Sequence, residues 1–463
     1  MKKRILAAVI AAVFAVLNVA SALPVFALNE STTRYPTPEG YNDHDYQKLV
    51  AFLEQTDDEG VKNGEKCSDN YDPNDPTTWG TYWNGQRFKW IESDGELRIQ
   101  EIYVYVDYKN LCGALDVSGC TALEYLDCRY NNLTTLDVRG CTALEDLYCA
   151  YNNLTTLDVR GCTALTSLDC YSNNLTTLDV SGCTALTSLE CEYNNLTELD
   201  VSNNTALMAL WCSGNNLTTL DVSNNTELVY LLCGYNNLTE LDVSNNTALW
   251  SLNCCGNNLT TLDLSNNTAL VLLYCYSNNL TELDVSNNTT LYELSCYNNN
   301  LTELDLSHNP YLPLDCVKSE GNGTIGYCYG EDEEGGFITD VTAVPNSGAE
   351  FIGWFNEAGE LIVSADDCSY DDGQYSWNYE YTNETVLIAK FTEAEPIPGD
   401  ADGDGELTNE DVLLLMRAVM ELEELTDEML ANCDMNGDGI VNFTDALIML
   451  RMVLDMLPNT VAY

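Results

Sequence analysis

Leu123-Glu-Tyr-Leu126-Asp-Cys128-Arg-Tyr-Asn131-Asn-Leu133 is followed 21 residues later by Leu144-Glu-Asp-Leu147-Tyr-Cys149-Ala-Tyr-Asn152-Asn-Leu154, and the phrase returns until about Cys316. Its asparagine recurs at 131, 152, 173, 194, 215, 236, 257, 278 and 299, nine positions in one register. A strict period of this length marks a coil stacked on copies of itself, each burying its apolar face only against its neighbours. The leucines and cysteines of each coil are expected to point inward. The asparagine side chain should satisfy backbone groups at the corner of its own coil and of the next. Coils at strand spacing, about 4.8 Å, give an array on the order of 50 Å long.

The other half of each coil repeats the grammar: Leu136-Asp-Val138-Arg-Gly-Cys141 has the spacing of Leu126-Asp-Cys128-Arg-Tyr-Asn131. Each coil is therefore two half-repeats of ten and eleven residues, with a short strand expected on each side. The second corner is Cys at 120, 141, 162 and 183, then Asn at 204, 225, 246, 267, 288 and 309. The pattern L-x-x-L-x-L-x-x-N-x-L, with Cys at the third apolar position, resembles the 21-residue bacterial class of leucine-rich repeats over roughly residues 99–316. That resemblance implies a mostly β solenoid and says almost nothing about a ligand.

Twenty cysteines would ordinarily suggest a disulfide framework. Nine of them, at 21-residue spacing from Cys128 to Cys296, sit where leucine usually sits. Side chains in register point the same way and hold their sulfurs apart, so buried free thiols are favoured over bridges between coils. Cys328 and Cys368, outside the array, are the better candidates for a bridge.

The chain opens Met1-Lys2-Lys3-Arg4, runs apolar from Ile5 to Leu17, and then offers Ala20-Ser21-Ala22 and Val25-Phe26-Ala27 as cleavage sites. Residues 1–27 read as a secretory signal peptide, too short to span a bilayer comfortably, and no membrane span is expected elsewhere. The net charge is −55, from 73 acidic against 18 basic residues. Such a surface repels phosphate backbones, which excludes nucleic acid and suits calcium, basic proteins or neutral glycans.

Residues 28–110 read as the N-terminal cap of a repeat array at 111–316. Within the cap, Tyr46, Leu49, Val50 and Leu53 fall on one helical face, and Trp79, Tyr82, Trp83 and Trp90 read as packing rather than ligand binding. From 317 to 397 the pattern changes to alternating strands with Gly/Asn turns. Gly353-Trp354-Phe355 and Ala389-Lys390-Phe391 resemble landmarks of the small β-grasp-like B-repeats of internalins, which implies a spacer.

Asp400-Ala-Asp402-Gly-Asp404-Gly405-Glu406-Leu-Thr408-Asn-Glu-Asp411 has the spacing of a calcium loop, and Asp434-Met-Asn436-Gly-Asp438-Gly439-Ile440-Val-Asn442-Phe-Thr-Asp445 repeats it 34 residues later. Side-chain oxygens at positions 1, 3, 5, 9 and 12 and the carbonyl of Glu406 or Ile440 suit a hard cation wanting six to eight oxygens. Each loop leads into an apolar helix, and each ends in Asp rather than Glu. Residues 398–463 thereby resemble a dockerin, an α-helical module that holds two Ca2+ ions and binds cohesin domains of scaffolding proteins. The resemblance assigns cohesin contact to Asn409, Glu410 and Arg417 and to Phe443, Thr444 and Arg451. The two sets differ, whereas the family's two-way binding rests on matching ones.

No catalytic constellation stands out. His44 and His308 are the only histidines, and acidic residues come in ladders rather than as one distinguished pair. The outward column of the first strand varies instead of repeating: Asp127, Tyr148, Asp169, Glu190, Trp211, Leu232, Asn253, Tyr274, Ser295. Read as a concave face, it places ligand binding around Tyr148, Tyr171, Trp211, Tyr274 and Tyr276. The opposite side carries an aspartate in every coil from Asp116 to Asp305, stabilised by flanking Ser and Thr in preference to a row of cations. Together these readings give a secreted, non-catalytic recognition protein. Its array binds a protein or surface ligand, and its dockerin attaches it to a cohesin-bearing scaffold of a cellulosome-like complex for polysaccharide degradation. The alternative is a carbohydrate-binding component that uses the aromatic face.

Overall fold

The structure, a computed structural model, describes residues 34–82, 85–105, 110–331, 337–371, 373–379, 385–392, 398–399, 401, 407–420, 432–436 and 440–456. The segment read as a signal peptide lies outside them. So do the loop positions Asp400, Asp402, Asp404, Glu406 and Asp438.

Nine three-residue strands, from Tyr125–Asp127 to Glu293–Ser295, pair in parallel and in register along the first side of the coils. The 21-residue period makes this register unavoidable, because any slip would turn Leu126, Leu147 and their successors to solvent. Those leucines are buried, as are the cysteines two residues after each. The nine ladder cysteines from Cys128 to Cys296 are free thiols, and so are Cys328 and Cys368. The expected bridge between that pair does not form. Cys328 lies on the strand Gly323–Glu331, while Cys368 immediately precedes Ser369–Asp371, three strands away in the same sheet. At about 4.8 Å per strand, that separation is far beyond disulfide reach.

The corner asparagines act on the preceding coil rather than the next. Asn152 Oδ1 accepts from the Leu133 N–H at 3.0 Å, and its Nδ2 donates to the carbonyls of Cys128 at 2.9 Å and Cys149 at 3.1 Å. The residue before each corner asparagine has positive φ. Gly supplies it at 214 and 256, but Tyr does so at 130, 151, 193 and 235, with φ between 51° and 55°. A bulky side chain there costs about 1 kcal/mol.

The second side is less regular. Cys112–Asp116 and Asn132–Asp137 form a parallel pair, and single bridges link Asp137 to Asp158 and Asp158 to Asp179. The bridges stop where the second corner changes from Cys to Asn. Asn204 Nδ2 donates to the carbonyls of Val180 at 3.0 Å and Cys183 at 2.8 Å, taking over the linking of coils from backbone pairing.

Both ends of the array are sealed. The helix Asp43–Leu53, capped by Asn42, buries Tyr46, Leu49, Val50 and Leu53 against the first coil. Trp79 is fully buried beside Tyr46 and Phe88, so it packs the lid. At the other end, Gly323–Glu331 pairs antiparallel with the last first-side strand, Glu293–Ser295. Cys316–Glu320 pairs with the second-side strand Glu303–Asp305. The module read as a spacer therefore continues both faces of the solenoid, which removes an open sheet edge. Farther on, the helices Asn409–Val419 and Phe443–Met456 bring Val412, Leu415, Ala446, Met449 and Val453 together with Ala401 and Cys433 in a separate small core.

Candidate functional site

Among the described residues, the five aromatics singled out above fall into separate sets of contacts. Tyr148 meets Tyr125 at a tilt, with ring centroids 5.5 Å apart, and lies under the Arg129 guanidinium at 4.9 Å. Tyr171 sits between Tyr151 and Tyr193. Tyr274 donates its hydroxyl to Glu293, while Tyr276 stacks on Tyr297 at 4.7 Å and meets the Tyr235 hydroxyl at 3.1 Å. Between the two groups lies Trp211, whose indole N–H is buried and has no hydrogen-bond partner among the described residues.

A row missed by sequence reading supplies the continuity. Tyr105, Tyr130, Tyr151, Tyr171 and Tyr193 follow one another at centroid distances of 5.4, 4.4, 5.0 and 5.2 Å. Tyr130, Tyr151 and Tyr193 are exposed, and so is Tyr235 farther along. The signal was available: tyrosine stands immediately before the ladder asparagine in four of nine coils, where a left-handed backbone favours Gly or Asn. Tyr193 leans across Gly214, and Tyr235 across Gly256. A Cβ at either glycine would come within 3.0 Å of the ring.

Between Tyr171 and Trp211 lie three carboxylates. Asp127, farther toward the N-terminus, is neutralised by Arg129 through bonds of 3.0 and 2.9 Å. Asp169 is buried and accepts only the Tyr171 N–H, at 3.0 Å, among the hydrogen bonds of the described residues. Glu190 and Glu192 have no side-chain hydrogen bond or ion pair there, although Glu192 is only 8 % exposed. Burial pushes the Glu192 carboxyl up to about 7, reinforced by repulsion from Glu190 and Asp169. Burial also raises Glu190 and Asp169, while Arg129 draws both downward.

The second side is acid-rich in a different way. A groove of about 1280 Å³ runs along it from Ala114 to Asp221. Its floor is Leu136, Leu157 and Leu178, shown between small threonines and aspartates. Each aspartate from Asp116 to Asp305 accepts the backbone N–H two residues on, as Asp221 does from Ser223 at 2.9 Å. The serine hydroxyl and this N–H hold Asp200, Asp221 and Asp242 below the usual carboxylate range. The row is satisfied from within.

His44 bonds the Ser118 carbonyl and His308 bonds the Ser307 hydroxyl. His44, Asp45 and Cys120 bring three donor atoms within 4.8 Å of one another, but Asp45 is occupied by Arg98 at 2.7 and 3.1 Å and by the Ile99 N–H.

In the C-terminal module, the last residue of each loop is buried and ties its loop together. Asp411 accepts from Ala401 N–H at 2.9 Å and Thr408 N–H at 2.6 Å, and Asp445 from Asn436 N–H at 3.3 Å and Asn442 N–H at 2.9 Å. Described donors are oxygens, as a hard cation requires. Ile440 is exposed, with its carbonyl accepting from Asn442. Asn409, Glu410 and Arg417 are exposed on the helix Asn409–Val419, and Phe443, Thr444 and Arg451 on Phe443–Met456. Leu413 and Leu447, absent from the sequence assignment, are exposed one turn before each arginine.

Residues 398–454 match the family model of the dockerin type I domain, and residues 316–395 that of the divergent InlB B-repeat domain. Among solved structures, the chain is similar to the functional domain of InlJ from Listeria monocytogenes, whose description includes a cysteine ladder. The identity is 31%, with 64% of this chain and 66% of that one covered and a TM-score of 0.45. It is also similar to the L. monocytogenes internalin inlF, at 20% identity over 45% and 78% of the chains, TM-score 0.33. The leucine-rich effector YopM from Yersinia pestis follows at 23% over 42% and 60%, TM-score 0.35. The chain thus spans just under two thirds of the InlJ chain. No curated protein matches it. By fold and by its two domain matches, the chain is a leucine-rich-repeat solenoid with a B-repeat-like domain and a dockerin-like C-terminal module. No helix among the described residues is long and apolar enough to cross a membrane.

Proposed function

We propose that this chain is a non-catalytic adaptor working outside the cell, whose array holds a protein ligand on its first-side face while its C-terminal module docks to a cohesin-bearing scaffold. The tyrosine row carries the choice of ligand class. Inner rings such as Tyr130, Tyr151 and Tyr171 have ring neighbours on both sides. Flanked in this way they would present edges and hydroxyls more than open faces, whereas a sugar ring needs an open aromatic face on which to lie. Edges and hydroxyls at coil spacing suit an extended or irregular protein surface, with aromatic anchors of low rotamer entropy. The carbohydrate alternative has less support for the same reason.

Calcium would be held by Asp400, Asp402, Asp404, Thr408, Asp411 and the Glu406 carbonyl, and by Asp434, Asn436, Asp438, Asn442, Asp445 and the Ile440 carbonyl. Cation binding would neutralise crowded carboxylates and contribute folding free energy to the module. Asn409, Glu410, Leu413 and Arg417, or Phe443, Thr444, Leu447 and Arg451, would then meet the cohesin. A scaffold of this kind fits a cellulosome-like, polysaccharide-degrading assembly.

Two measurements test the reading. The full chain should bind a panel of type I cohesins in calcium and lose them in chelator or with Asp411→Ala plus Asp445→Ala; cohesin binding that ignores calcium would overturn the docking half. Protein and glycan arrays should yield protein hits that Tyr151→Ser with Tyr193→Ser abolishes. Glycan hits alone would overturn the recognition half.

A further inference from the structure

We infer that Asp169, Glu190 and Glu192, walled by Tyr171, Tyr193 and Trp211, form a notch that receives one basic side chain, arginine or lysine, of the protein ligand. This deepens the reading of the first-side face given above. The second-side aspartates show what a self-sufficient acidic row looks like in this fold: every one accepts an N–H from its own corner. Glu190 and Glu192 have no such partner among the described residues, and Glu192 is more than nine-tenths buried. Its carboxylate faces those of Glu190 and Asp169, whose charges it feels directly. The Trp211 indole N–H, in the coil whose strand pairs Trp211 with Glu190, is also buried and has no acceptor among the described residues. A buried carboxylate without a counter-charge is costly, and a cation from a partner removes that cost.

The geometry selects a side-chain cation over a bare metal ion. Among the described residues, only His44, Asp45 and Cys120 gather three donors within 4.8 Å, so the notch carboxylates are spread too widely to ligate one small ion. Spread over neighbouring coils, they match a guanidinium or ammonium with several donors, and aromatic walls on both flanks favour a cation. Arg129 covers the N-terminal end by neutralising Asp127, which leaves the notch as the open acidic position in the central coils.

The test uses the full calcium-loaded chain and a defined probe, acetyl-Gly-Arg-Gly-amide, followed by ligand-observed NMR. Its citrulline isostere serves as a neutral control. Saturable one-to-one binding is expected for the arginine peptide. It should weaken on the order of tenfold in Glu190→Gln with Glu192→Gln and stay within about twofold in Asp242→Asn with Asp263→Asn. The two glutamines should melt no lower than wild type, because they remove unpaired charge. No saturable binding, equal loss in both double variants, or equal binding of citrulline would overturn the notch. Manganese held stoichiometrically and lost in the glutamine variant would also overturn it, in favour of a metal site. Glycan hits alone on the arrays would sink the protein-ligand reading without touching this result, so the two failures are distinguishable.

Discussion

The two sides of each coil are both acidic, yet they treat charge in opposite ways. On the second side the same Asp-x-Ser or Asp-x-Arg phrase recurs, and each carboxylate is satisfied within its own corner. On the first side the outward residues differ from coil to coil, and the central coils bury carboxylates that repel one another. A repeated residue with complete hydrogen bonding belongs to the fold. A varied residue held in strain or without a partner is free for recognition, and four tyrosines with left-handed backbone carry the same message.

The largest effect should come from making one substitution at the two corners. Asn215 accepts from Leu196 N–H and donates to the carbonyls of Cys191 and Cys212, so Asn215→Cys should cost about 3 kcal/mol or more, read by chemical denaturation. At the second corner the Asn225 side-chain oxygen already has no partner among the described residues, and cysteine does this task at 141, where its thiol reaches the Val117 carbonyl at 3.1 Å. Asn225→Cys should therefore cost only about 1 kcal/mol. Equal costs would erase the distinction between the corners.

A smaller effect concerns pH. The Glu192 carboxyl, at about 7 when folded against an ordinary 4.5, takes up protons on folding between these values. Its stabilising contribution is full below 4.5 and lost as pH rises through 7. Glu192→Gln should raise the melting temperature at pH 7.5, by roughly 2 °C, and flatten its decline from pH 5. Glu190 and Asp169, shifted the same way, leave part of that slope in place.

The second side should respond in the opposite sense. Asp200, Asp221 and Asp242 lie below their ordinary 3.8, so their contribution is present above that value and lost as pH falls through the folded one. Asp221→Asn should lower melting slightly at pH 7, and the difference from wild type should close as pH falls below the ordinary 3.8, where the contribution of the carboxylate is lost. A neutral-pH loss as large as that of Asn215→Cys would mean that the row is more than locally satisfied.

The smallest effect is at the strained position. Ser172 has φ of 52°, so Ser172→Gly should stabilise the array by a few tenths of a kcal/mol, about 0.5 at most. A loss would show that a contact of Ser172 outweighs the strain.

The nine-coil solenoid, its inward leucines and cysteines, the corner asparagines, the helical lid and the paired loop-helix units were all legible in the chain. Each depends on spacing alone: a 21-residue period allows one register, and a buried strand face cannot slip by one residue without exposing its leucines. Other features depended on neighbours that are distant in sequence. The pair Cys328 and Cys368 looked suitable until the sheet order set them three strands apart. The direction of the asparagine bonds, and the B-repeat-like module closing both faces, followed from how coils and sheets meet. So did the most informative contrast: the letters Asp and Glu are the same on both sides of a coil, but only the tertiary surroundings decide which carboxylate finds an N–H and which is buried against its own kind.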